Sequence, residues 1–273
     1  MHSIGYESGR GMKHTLTENQ RPAGRNPVGM TAPRKDREKG ALKVAREIVR
    51  HIYEERIPPG QKYLSEADAL ERYRVARGTL REALRYLQLQ GVLKIRTGPN
   101  GGHFVANPQW ENLASTIALL LQFSEATIES LIESRIAIEP GMAALAAQRA
   151  TPDDVRELSD LLDELKLNLG DYDAFYQLYL EFWDQLALTA RNPLFLFLLP
   201  ALRRITWTSG IRPNEAQREA ALGGLCTLRD SVAANDPAGA ANALRRLEEA
   251  YLATMRTEYP RELAKRVVWH DHS

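Results

Sequence analysis

Two arginines, Arg77 and Arg81, stand four residues apart in the stretch Arg77-Gly78-Thr79-Leu80-Arg81. On a helix that spacing puts both side chains on one face, turned away from Leu80, Leu84 and Leu87. A guanidinium is a planar fork of N–H donors that can bridge O6 and N7 of guanine. Each such bidentate pair discriminates by about 1–3 kcal/mol. Thr79 adds a hydroxyl for a phosphate or a base edge, and Gly78 lets the backbone come close, at about 1 kcal/mol of helix propensity. Alone, two arginines on a helix make a solvated face. The chemistry depends on what positions them.

Other chemistries find little to stand on. Cys226 is the single cysteine, without a histidine at a suggestive spacing, and there is no glycine-rich phosphate loop or paired-carboxylate motif. No histidine lies between residues 104 and 269, while His270 and His272 sit in the C-terminal tail. The expectation is a protein that is not an enzyme and carries no cofactor and no metal.

The elements around the arginines have a definite order. Leu42, Ala45, Ile48, Val49, Ile52 and Tyr53 fall on one helical face, opposite Lys43, Glu47, Arg50 and Glu54. Ile57-Pro58-Pro59-Gly60 stops that helix. A short helix opens at Ser65, whose hydroxyl can cap it, with Asp68 completing a capping-box pattern. It ends near Arg74. A second begins around Arg77 and closes at Gly91. Two β-like runs, Val92 to Arg96 and His103 to Ala106, flank the turn-forming tip Thr97-Gly98-Pro99-Asn100-Gly101-Gly102. Three helices and a two-stranded ribbon make a winged helix-turn-helix.

Beyond residue 106 the periodicity is helical throughout, near 111–123, 126–149, 152–169, 172–190, 193–208, 213–234 and 237–258. The predicted fold is mainly α: an N-terminal winged helix-turn-helix plus a C-terminal all-α helical bundle effector domain. We divide the chain into a disordered arm at 1–36, the winged unit at 37–106, a linker at 107–113, the bundle at 114–260 and a tail at 261–273. Translation could begin at Met1, Met12 or Met30.

Charge follows the same division. The net formal charge is +1, yet residues 34–105 hold sixteen Lys/Arg against nine Asp/Glu, whereas residues 106–273 hold sixteen against twenty-four. The first part is suited to a polyanion and the second is not. No run approaches the roughly 18 apolar residues of a membrane span, and the N-terminus lacks the apolar core of a signal peptide. With one cysteine, this points to the cytoplasm.

The pattern Pro58-Pro59-Gly60, Leu64-Ser65-Glu66, Val75-Ala76-Arg77, Leu80-Arg81-Glu82-Ala83-Leu84, Gly91-Val92-Leu93 and Gly98-Pro99-Asn100-Gly101-Gly102 resembles the GntR family of bacterial regulators. The resemblance implies base contacts from Arg77, Thr79 and Arg81 and a wing tip at Thr97 and Gly98. Ser65 and Arg74, which bound the helix between, join the DNA-facing set. Ala67 departs from the family's usual arginine, Arg74 from a common glycine, and Ala76 from a Ser or Thr cap, the last a loss of about 1 kcal/mol.

The stretches Ile128-Glu129-Ser130-Leu131-Ile132-Glu133-Ser134-Arg135 with Glu139, Asn192-Pro193-Leu194 and Asp236 through Ala243 resemble the FadR/FCD branch of that family. Most FCD members hold a divalent metal through one Asp and three His. Those positions fall here on Tyr179, Trp183, Leu225 and Leu247, so the chain is similar to the metal-lacking FadR type, best over Phe175 to Trp207.

The expected function is that of a repressor acting as a homodimer on a palindromic double-stranded operator, because one helix reads few base pairs. Its expected effector is a small molecule, an acyl-CoA or an apolar or aromatic organic acid, bound by Arg135, Tyr179 and Trp183. For Arg135 an intrahelical pair with Glu139 stands beside that role, and for the two aromatics a filled core. The alternative function is a dimeric DNA-binding protein whose C-terminal domain only dimerises.

Overall fold

The computed structural model describes residues 34–269. The expected arm and the residues His270 and His272 lie outside that range, apart from the arm's last three residues. These belong to α1, Arg34–Glu54, which begins earlier than the apolar pattern suggests.

In α1 the buried residues are Ala41, Val44, Ala45 and Ile48, on the side packed against the helix Arg77–Leu89. Leu42, Val49 and Tyr53, expected on that face, are exposed. One neighbouring helix covers a stripe narrower than the apolar arc. After Gly60, which takes a positive φ of 87°, α2 spans Glu66–Tyr73, its first turn capped by the Ser65 hydroxyl accepting from Asp68 N–H at 3.2 Å. The Ser65 hydroxyl also donates to Asp68 at 2.7 Å, so Asp68 holds the capping hydroxyl itself.

Helix α3, Arg77–Leu89, buries Leu80, Ala83, Leu84 and Leu87. Strands β1, Leu93–Arg96, and β2, Gly102–Val105, pair antiparallel with Leu93 opposite Val105 and Arg96 opposite Gly102. Leu93 and Val105 close the small core beneath α3. At the joint, Gly91 has φ of 70°. A side chain there would run into Asn112, 2.5 Å from the position of its first carbon.

The second unit is helical: α4 Trp110–Phe123, α5 Ile128–Arg149, α6 Pro152–Leu167, α7 Tyr172–Thr189, α8 Phe195–Trp207, α9 Glu215–Ala233 and α10 Pro237–Glu258. Thr127, Thr151, Asp171, Asn214 and Asp236 each cap a first turn by accepting a backbone N–H three residues on. Helices α5 and α10 pack along each other at the centre. On one side α6, α7 and α9 bury Leu158, Phe182, Leu186, Leu225 and Leu244. On the other, α4 and α8 bury Ala118, Ile132 and Ile205.

The expected linker overlaps α4, which already begins at Trp110. The expected tail is also structured as far as Trp269. A short helix α11, Pro260–Leu263, is followed by a strap in which Val267 is buried and its N–H donates to Ala126 O at 2.8 Å. The Trp269 indole N–H donates to the Ser115 hydroxyl at 2.7 Å, and its backbone N–H to Gln122 at 2.8 Å, tying the strap to α4. Burial of Val267 explains the order: an apolar side chain so near the end gains by docking in the groove beside α4.

Candidate functional site

Two sites emerge, one on each unit. On the winged unit, α3 starts at Arg77 with Ala76 in the cap position and no side-chain cap. Four N–H groups at this end are therefore unmet by a side chain and available to an anion. Arg77 and Arg81 are exposed, Thr79 is half-buried, and Leu80 between them is fully buried. Arg81 Nε donates to Glu66 of α2 at 3.0 Å, which sets the direction of its stem. Ser65 works as a helix cap. Arg74 ends α2 in the left-handed conformation at φ 50° with its N–H on Leu70 O. That conformation is disfavoured by about 1–2 kcal/mol for a side-chain-bearing residue, which accounts for the glycine more usual there.

Thr97 and Gly98 lie at the exposed hairpin tip, where Gly98 takes φ of 105°. The ribbon adds exposed cations that the motif reading did not single out. These are Lys94 and Arg96, with the Arg96 guanidinium 4.2 Å above the Phe104 ring. Their alternation along β1 was the available signal.

Within the helical unit a cavity of about 420 Å³ opens between α7, α8, α9 and α10. Its wall is aromatic. Trp207 stacks on Tyr176 with ring centres 3.5 Å apart and 17° between planes, and Tyr172 continues the stack at 5.9 Å and 12°. Tyr179 and Arg135, two of the three residues proposed from the sequence for an effector, also line it. Trp183 does not. It is buried against the core, edge-on to Tyr179 at 5.7 Å, because its position one turn further along α7 falls beneath α8. There its ring carries the Arg203 guanidinium, 3.7 Å from the ring centre.

The floor is a buried ionic chain. Arg135 Nε donates to Glu139 at 2.9 Å, the intrahelical pair, and its Nη2 to Glu248 of α10 at 2.6 Å. Arg203 of α8 donates from Nη2 to the other Glu139 oxygen at 2.6 Å. Burial opposes charge on Glu139, yet Arg135 and Arg203 hold its carboxyl below the ordinary range. Arg135 is likewise held charged by Glu139 and Glu248 against the effect of burial. Glu248 goes the other way: burial outweighs Arg135, Glu139 adds repulsion, and its carboxyl is pushed up to about 7. Arg135 is thus engaged by two carboxylates.

Arg203 and Arg218 line the same cavity and were missed. They lie 68 and 83 residues from Arg135 in sequence, and only an i,i+4 spacing such as Arg135–Glu139 is legible along the chain.

The residues at the family's metal positions do not fit a metal. Tyr179 is a phenol whose pKa is raised by burial, Trp183 lies under a guanidinium, Leu225 is in the core and Leu247 offers only methyl groups. Soft or borderline cations need imidazole, thiolate or carboxylate donors. Among the described residues no three His, Cys, Asp or Glu gather to supply them. Nor is any described helix long and apolar enough to cross a membrane.

Comparison with known proteins agrees with this division. Residues 41–105 match the bacterial regulatory proteins of the gntR family and residues 130–250 match the FCD domain. The galactonate operon transcriptional repressor of Escherichia coli (strain K12) is 27% identical, over 70% of this chain and 89% of its own length. The fatty acid metabolism regulator protein of Pectobacterium carotovorum subsp. carotovorum (strain PC1) is 28% identical, over 57% of this chain and 64% of its own. A solved structure, Streptococcus agalactiae GntR, shares the fold with a TM-score of 0.67 at 23% identity, covering 78% of this chain and 99% of that one. With a winged unit that presents an arginine-led helix and a helical unit built around a cavity, the chain belongs to the GntR family of DNA-binding transcriptional regulators and carries an FCD domain.

Proposed function

We propose that the chain is a repressor that binds a palindromic operator as a homodimer, and that a small acid in the cavity of the helical unit sets its operator affinity. The observation that carries this reading is the cavity itself. Arginines buried in an apolar wall are what an acidic, otherwise apolar guest requires. The relatives include a galactonate operon repressor and a fatty acid metabolism regulator by name, which supports repression; the apolar wall supports an effector of the acyl-CoA or apolar and aromatic acid kind. Large apolar side chains left exposed on α4, Leu120 and Phe123, support self-association. The cytoplasm is the compartment that suits a DNA-binding protein.

On the DNA side the proposed contacts are Arg77, Thr79 and Arg81, with Ser65, Arg74, Thr97 and Gly98 around them. On the effector side they are Arg135 and Tyr179 on the wall, with Trp183 supporting Arg203 from behind. The test is a salt-matched gel shift on the operator. Arg77→Ala and Arg81→Ala should each weaken specific binding by about 1–3 kcal/mol. Two variants that bind like the wild type would overturn the assignment of the reading helix. Operator affinity that no acid alters would favour a domain that only dimerises.

A further inference from the structure

The charges around the cavity do not balance. Three guanidiniums are buried there, Arg135, Arg203 and Arg218, against two buried carboxylates, Glu139 and Glu248. Arg218 has no carboxylate among its hydrogen-bond partners. Its Nε donates to Leu169 O at 2.9 Å, Nη2 to the same carbonyl, and Nη1 to Pro213 O at 2.8 Å. The other ionised groups nearby are exposed: Asp184 toward Arg203, and at the rim Arg212 with Asp173, and Glu258 on Gln217. Arg218 is therefore a buried guanidinium held by backbone carbonyls, with no carboxylate on it among the described residues. Burial of an unpaired charge is strongly unfavourable unless something neutralises it.

A second feature tells where an anion would sit. Arg203 is 6% exposed and lines the cavity; among the described residues its Nε–H has no acceptor, but that atom is fully enclosed, so the cavity is met by the rest of the guanidinium. Its ring-side face is covered by Trp183 and one Nη is taken by Glu139. The other Nη keeps N–H donors that no group among the described residues takes up.

The rest of the wall limits what the anion can carry. Tyr172, Tyr176 and Trp207 form a nearly parallel stack, a surface that favours a flat conjugated ring. The hydroxyls of Thr206 and Thr254 are already used on their own helices, bonded to Leu202 O and Ala250 O at 3.0 Å each. The Ser209 hydroxyl accepts from Ile211 N–H. The Tyr172 hydroxyl is enclosed without a partner among the described residues, and Tyr176 and Tyr251 also line the wall with hydroxyls that make no hydrogen bond there. The volume, about 420 Å³, lies near the lower end for small-molecule sites, about 300–1,000 Å³.

Building on the reading of this cavity as the effector site, we propose that it takes a flat aromatic monocarboxylate, with the carboxylate on Arg203 and the ring against the stack of Tyr172, Tyr176 and Trp207.

The experiment is calorimetric titration of full-length protein with 2-naphthoate, trans-cinnamate, D-galactonate and palmitoyl-CoA, followed by operator binding with each. The two aromatic acids should bind wild type at least ten-fold more tightly than the other two and shift operator affinity. Trp207→Leu should weaken naphthoate at least ten-fold, and Arg203→Lys, which keeps the charge but not the fork, should do the same while the circular dichroism spectrum stays unchanged. Arg203→Met strips Glu139 of a partner and could unfold the unit, so Arg203→Lys carries the test. Tighter binding of palmitoyl-CoA or D-galactonate, lost in Arg203→Lys, would overturn the ligand class and leave the effector reading standing. Naphthoate binding unchanged in both variants would overturn the assigned contacts. No binding by any of the four, with operator affinity constant, would overturn the effector reading as well.

Discussion

Removing one charge from the centre of the ionic chain tests how the helical unit is held together. Glu139 is fully buried and accepts from Arg135 at 2.9 Å and from Arg203 at 2.6 Å. Glu139→Gln keeps the volume and removes the charge, leaving two buried guanidiniums with Glu248 alone. Breaking a buried pair by neutralising one partner is worth about 3–5 kcal/mol. In a protein of this size each kcal/mol moves the melting temperature by about 2–4 °C, so scanning calorimetry should show a fall of about 6–20 °C. Salt should change that fall little, because buried pairs are weakly screened. The double variant Glu139→Gln/Arg203→Met removes the stranded cation too and should recover part of the loss, giving a coupling energy by the double-mutant cycle. A loss under about 1 kcal/mol in Glu139→Gln would mean that these ionic groups are solvated in solution, and would refute the reasoning from burial.

Three further outcomes rest on geometry. Ala76→Ser supplies the missing cap on α3 and should raise the stability of the winged unit by about 1 kcal/mol in urea titration; no gain would place that helix end in contact with another group. Glu248, held near 7 among Arg135, Glu139, Arg203, Tyr179 and Tyr251, keeps its proton in the folded state after an unfolded carboxyl has released it. The folded state then binds the extra proton, so stability should fall as pH rises from the ordinary carboxylate value through about 7, and Glu248→Gln should flatten that slope; a slope unchanged in the variant would assign it elsewhere. Elemental analysis of dialysed, untagged protein should find no stoichiometric zinc, nickel or manganese, and finding one would overturn the account of Tyr179, Trp183, Leu225 and Leu247.

Much of the frame was legible because each element carries its own local signal. The apolar spacing of Leu80, Ala83, Leu84 and Leu87, the cap at Ser65 and the turn at Gly98 each report a neighbour within a few residues. The half of the ionic chain that lies within one helix, Arg135 with Glu139, is of the same kind. Its other half joins residues 64 and 113 apart in sequence, and nothing along the chain distinguishes Arg203 or Arg218 from solvated arginines until the helices are packed. Trp183 shows the converse. Helical spacing placed it beside Tyr179 correctly, but whether the next turn meets a cavity or a neighbouring helix depends on where α8 crosses. Leu42, Val49 and Tyr53 belong to the same lesson, since an apolar residue announces a face and not its partner.

The strap at the far end bears on the order in which the protein comes into being. Helix α4 meets the winged unit at its beginning, where the Asn112 side chain donates to Leu89 O at 3.1 Å at the end of the reading helix. Further along, α4 is fastened by Trp269 through Ser115 and Gln122. Domains fold from the N-terminus as the chain is synthesised. The reading head therefore leaves the ribosome before its bearing is complete, and α4 gains its last restraints only when residues 265–269 emerge. A nascent chain can therefore form α3 with its exposed arginines while α4, the helix that adjoins it through Asn112, still lacks the restraints that Trp269 supplies.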